Sequence, residues 1–112
     1  MLQTIKRSTL LIVTPQTPMT LPHALTLLRD MEECLSMPGI RDLALDLAEV
    51  KEADGTGLGV IVKMATNARA SGQGFYLYRP SKEALTALND MEVHGFFPIL
   101  EYEEDLLAHV PD

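Results

Sequence analysis

A chain of 112 residues, 46% apolar and 22% charged, suits one globular domain over residues 1–112. It can bury roughly two-thirds of its unfolded surface, which excludes intrinsic disorder. A net charge of −7 repels phosphate backbones and excludes nucleic acid as a general partner, and no segment reaches the roughly 20 apolar residues that direct membrane insertion needs.

The opening Met1 to Arg7, followed by Leu10 to Val13, has the charge order of a secretory leader, but the apolar stretch is short and Pro15 interrupts it, so no leader is expected. Thr9 to Val13 predicts a strand closed by Pro15 and Pro18, with Leu2 to Lys6 as a short partner strand, although no hairpin signal joins them. Leu21, Ala24, Leu25, Leu28, Met31 and Leu35 then recur at helical spacing, with Thr20 as N-cap, Pro22 in the first turn and Met37-Pro38-Gly39 as the stop. Cys34, the single cysteine, lies on this helix beside Glu32 and Glu33, neighbours that discourage a thiolate, and is expected in or near the core. Its solitude excludes a disulfide within the chain and fits a cytoplasmic setting.

Ile40 to Leu47 predicts a second strand whose Leu43-Ala44-Leu45 centre is apolar without alternation, as in a strand covered on both faces. From Gly57 the pattern is helical again, with Leu58, Ile61, Val62, Ala65 and Ala68 on one stripe and Ser71-Gly72 as the stop. Phe75 to Tyr78 is a third strand, and Pro80-Ser81 opens a short helix through Leu85 and Leu88. Phe96 to Leu100 reads as a last, edge strand because of Pro98, and Asp105 to His109 as a terminal helical turn. Met31, Met64 and Met91 fall where core residues would, and Glu101, Glu103, Glu104 and Asp105 as a solvated tail. Strands alternating with helices define an α/β layer fold with parallel central strands, and sites in such sheets gather at the carboxyl ends of strands.

The segment Asp46 to Gly59 lies at such an end. Asp54 reads as the N-cap of the following helix, accepting from backbone N–H groups near Thr56 or Gly57, or as a group that orients a phosphate-transfer complex. Thr56 in the first turn reads either as a satisfied surface hydroxyl or as a phosphate acceptor, since unpaired N–H groups and the helix dipole favour added negative charge there. Gly55, Gly57 and Gly59 cost helix stability and leave a low backbone surface around that hydroxyl, open to a kinase or a flat partner. Their spacing is not a nucleotide fingerprint. Asp46, a carboxylate in an apolar strand, is expected to be buried and hydrogen-bonded so that it supports the loop. His23, His94 and His109 have no metal-ligand spacing with each other or with Cys34, and no serine sits in a nucleophile elbow, so neither metal, cofactor nor catalytic residue is expected.

These residues resemble the STAS domain family, which includes the anti-sigma factor antagonists and domains of sulfate transporters. The resemblance rests on Leu43-Ala44-Leu45-Asp46-Leu47, Val50 and Asp54-Gly55-Thr56-Gly57-Leu58-Gly59, and continues through Gly72-Gln73-Gly74, Pro80-Ser81 and Gly95-Phe96-Phe97-Pro98-Ile99. It implies a STAS-like fold, a mixed sheet of about four to five strands with four helices. It also implies that Thr56 is the residue phosphorylated by an anti-sigma factor serine/threonine kinase of GHKL type, and that Asp54 to Gly59 form the partner-binding surface. On this reading the unphosphorylated chain binds the kinase, phosphate on Thr56 breaks the complex, and a phosphatase is a further partner. Two departures stand out: Gly55 replaces the family's first serine, and Thr14 to Thr20 replaces a Gly-Glu-Leu-Asp-like turn that often meets the partner. The alternative the family offers is an unphosphorylated scaffold subunit, for example in a lipid-transport ABC system. A small nucleotide-binding or hydrolytic domain is a third class.

Overall fold

In the computed structural model, which describes residues 2–92 and 97–110, β-prone runs and helical stripes assemble into one five-stranded sheet in the order β1-β2-β3-β4-β5. The strands are β1 (Leu2–Arg7), β2 (Leu10–Pro15), β3 (Asp42–Asp46), β4 (Gly74–Tyr78) and β5 (Ile99–Leu100). The helices are α1 (Leu21–Leu35), α2 (Gly55–Ala70), α3 (Lys82–Asp90) and α4 (Glu103–Leu107). β1 runs antiparallel to β2, and β2 to β5 are parallel, each successive pair joined through a helix. Among the described residues no helix is long and apolar enough to cross a membrane.

The pleat sorts the core. Leu11, Val13, Leu43, Leu45, Phe75 and Leu77 face α1, α2 and α3, which return Leu27, Met31, Leu58, Ile61, Met64 and Leu88. Leu10, Ile12, Ala44 and Tyr78 occupy the opposite face, where Leu106 of α4 covers them. Leu43, Ala44 and Leu45 are fully buried, because both faces of β3 are covered as its unbroken apolar run requires.

Several sequence expectations shift. β1 and β2 are joined by a two-residue turn at Ser8-Thr9, with Ser8 at φ +58. Serine there escapes the usual Gly, Asn or Asp signal for a tight hairpin. β2 extends to Pro15, which pairs only on its β1 side, so the ring's missing N–H disturbs no bond to β3. Met91, expected in the core, is 43% exposed just beyond α3, and its sulfur lies 3.4 Å from where a Cβ on Gly55 would be. Phe96, the first residue of the expected last strand, and His94 and Gly95 lie outside the described residues. Cys34 is buried, and desolvation together with Asp30 and Glu33 pushes its thiol up, away from thiolate chemistry.

Candidate functional site

Two connections meet at the carboxyl ends of β2 and β3. Met19, 1% exposed, pairs with Ala53 in a parallel bridge; its N–H donates to the Glu52 carbonyl at 2.9 Å, and its carbonyl accepts from Asp54 N–H at 3.1 Å. The segment between β2 and α1 is therefore stitched to the loop that leads into α2. The only non-proline apolar side chain between Thr14 and Thr20 is what anchors it, a signal the sequence held and the turn-rich surroundings obscured.

Asp54 caps α2 as expected, its Oδ1 accepting from Gly57 N–H at 2.9 Å. Its Oδ2 accepts from Leu21 N–H at 3.0 Å, so the same carboxylate also caps α1. Thr20 occupies the N-cap position of α1, yet its side chain makes no cap bond; Asp54 substitutes across 33 residues of sequence. Hydrogen bonds from Gly57 and Leu21 hold the Asp54 carboxyl below the ordinary carboxylate range, and it is ionised at neutral pH.

Thr56 is exposed in the first turn of α2, between exposed Gly55 and buried Gly57. Of the residues from Asp54 to Gly59, Gly55, Thr56 and Gly59 present surface and Asp54 is partly exposed. Leu58, at 2% exposure, packs into the core, and Gly57 lies against the Met19 backbone, so these two fix the helix start from within. Gly59 is exposed and a Cβ there meets nothing within 4 Å. Gly59→Ala is therefore expected to raise folding stability by about 1 kcal/mol in a urea titration, the usual penalty of an interior helical glycine. A loss of stability would show that the position is sterically required after all.

Asp46 ends β3 at 4% exposure and supports the loop by accepting from Ala48 N–H at 3.0 Å. Its main partner is one the sequence did not reveal: Arg79 donates from Nε at 3.1 and 3.2 Å and from Nη2 at 2.8 Å. Arg79 follows β4 at φ +37, with its guanidinium carbon 5.1 Å from the centre of the Tyr78 ring. Hydrogen bonding to Asp46 raises its pKa further, against the opposing effect of burial. Because strand parity puts Asp46 on the α4 face, with Ile12 and Tyr78, it braces the root of the loop and not the Thr56 end. Ser81 completes the bracing. Its hydroxyl donates to the Val50 carbonyl at 2.6 Å and accepts from Ala84 N–H at 3.0 Å, tying the loop to the start of α3.

Sheet order, with α1, α2 and α3 on one face and α4 on the other, defines a class, the small mixed-sheet α/β domain. The STAS domain family model matches residues 1–106, and the chain belongs to the STAS domain family. No protein of curated function matches the sequence. Among solved structures, a putative anti-sigma factor antagonist from Thermotoga maritima superposes with a TM-score of 0.85 at 21% identity, covering 97% of this chain and 93% of that one. The anti-sigma factor antagonist SpoIIAA in its unphosphorylated form gives 0.77 at 9% identity, over 96% and 95%. The Bacillus cell-fate determinant SpoIIAA in its phosphorylated form gives 0.71 at 10% identity, over 99% and 100%. At these identities the likeness is one of fold.

Proposed function

We propose that this chain is an anti-sigma factor antagonist, a partner-switching protein of the cytoplasm that docks on an anti-sigma factor kinase of GHKL type through Gly55, Thr56 and Gly59, with Asp54 at the rim. The kinase transfers the γ-phosphoryl group of ATP to Thr56 Oγ1, the hydroxyl proton leaves to a base of the kinase, and ADP and phosphothreonine result. A phosphatase resets the switch by hydrolysing that ester. The observation that carries this reading is the exposure of Thr56 in the first turn of α2, where an incoming enzyme has access. SpoIIAA, which shares the fold, exists in phosphorylated and unphosphorylated forms.

Release follows from charge. A phosphate adds roughly −1.5 to −2 charges, and it does so two residues from an ionised Asp54. The helix terminus tolerates the anion, but a partner built against a neutral hydroxyl and bare glycine backbone must desolvate it. Incubation with an anti-sigma kinase of this type and ATP, with phosphate mapped by mass spectrometry, should label Thr56. In calorimetry Thr56→Glu should weaken kinase binding at least tenfold, about 1.4 kcal/mol, while Thr56→Ala binds as the parent does and escapes regulation. Equal affinities for the two variants overturn the switch. An unlabelled Thr56 in a kinase-bound chain returns the scaffold role.

A further inference from the structure

We propose that Asp54 is a shared cap that carries the charge state of Thr56 across to the start of α1, so that a negative charge on Thr56 loosens the first turn of the other helix. The inference rests on the reading above that Thr56 receives a phosphate, and it concerns how that event is felt elsewhere.

Three observations converge on one carboxylate. Its two oxygens are divided between helices, Oδ1 to Gly57 N–H of α2 and Oδ2 to Leu21 N–H of α1. The start of α1 has no substitute: Thr20 supplies no side-chain cap, Pro22 has no N–H, and no acidic residue stands in its first turn. The surrounding backbone, by contrast, is locked. The Met19–Ala53 bridge and the pair of bonds from Met19 N–H to Glu52 and from Asp54 N–H to Met19 hold the two connections together, and Gly57 lies directly against the Met19 carbonyl. The side chain of Asp54 is thus the compliant element in a stiff junction.

Thr56 stands two residues after Asp54, in the same first turn whose free N–H groups Asp54 uses. An anion on Thr56 competes for those groups and repels the carboxylate. As the repelled carboxylate shifts, it no longer spans both helix starts, and its Oδ2 bond to Leu21, the one made outside its own helix, weakens. The turn so released carries Leu21 and, one turn on, Leu25, which are 66% and 67% exposed. Phosphate at one helix start would therefore alter a second surface that it does not touch.

The test uses the full chain, nitrogen-15 labelled, with fast amide–water exchange read at Leu21 by NMR. Thr56→Glu should speed Leu21 exchange about threefold or more, in the range expected when a side-chain cap is weakened. Thr56→Gln, equal in size and neutral, should leave it near the parent value, and Asp54→Asn should match or exceed the glutamate variant. An unchanged Leu21 rate in Thr56→Glu, or equal rates in the Glu and Gln variants, overturns the proposal. Neither arm needs a kinase, so the relay and the phosphorylation fail separately: labelled Thr56 with an unmoved Leu21 removes the relay alone, and a moved Leu21 with no labelling removes the switch alone.

Discussion

Gly57→Ala is expected to cost about 3 kcal/mol of folding stability, more than any other single methyl added along this helix. A Cβ at position 57 runs into the carbonyl of Met19 and comes within 3.1 Å of its Cα, and backbone cannot step aside as the end of a long side chain can. Relief would require sliding α2 away from the β2–α1 connection. That movement breaks the bond from Asp54 N–H to the Met19 carbonyl and the Met19–Ala53 bridge, and strains the cap from Asp54 to Gly57. Helix propensity works the other way, since alanine inside a helix is worth about 1 kcal/mol over glycine. The collision wins. Paired urea titrations make the argument sharp: Gly57→Ala should move the midpoint down and Gly59→Ala should move it up, two residues apart on one helix. A Gly57→Ala protein as stable as its parent would refute the packing described at this junction.

Arg79→Ala is expected to cost about 2 kcal/mol, because it leaves the Asp46 carboxylate in place without its counter-charge. The Asp46 side chain is 6% exposed, whereas that of Arg79 is 54% exposed. Loss of one member of a fully buried pair typically costs about 3 to 5 kcal/mol; water entering the space of a half-exposed guanidinium solvates the carboxylate in part and lowers the figure. The paired variant Asp46→Ala with Arg79→Ala should be the more stable of the two, since it buries no bare charge. Denaturation of the four proteins in a double-mutant cycle gives the coupling directly. Additive effects with no coupling would mean that Arg79 contributes through its own backbone position at φ +37 and not through the ion pair.

Much of the fold was legible along the chain. The spacing of Leu21, Ala24, Leu25, Leu28, Met31 and Leu35 marks α1 as a helix, although Leu21 and Leu25 are exposed and Leu27 and Cys34 join Ala24 and Met31 on its buried face. The unbroken Leu43-Ala44-Leu45 marks a strand covered on both sides, and Pro80-Ser81 marks the start of α3. These signals are local, so a window of a dozen residues contains the whole physical cause. Asp54 as a cap was legible for the same reason: the acceptor and the Gly57 N–H lie three residues apart. Met91 misled because an apolar side chain near a helix end satisfies the periodicity without indicating whether the next layer reaches it.

What the sequence by itself determined is the set of elements, their alternation and the place of Thr56 in the first turn of a helix after a strand. Only the tertiary structure decided the partners 33 residues away: Leu21 for the second oxygen of Asp54, and Arg79 for Asp46. It alone showed which of the three glycines is sterically compelled, because that depends on the Met19 carbonyl brought in from another connection. The physical reason is the same in each case. Propensity, capping and hydrophobic period act between neighbours along the chain, whereas a shared carboxylate, a buried ion pair and a backbone collision exist only once distant segments have been packed face to face.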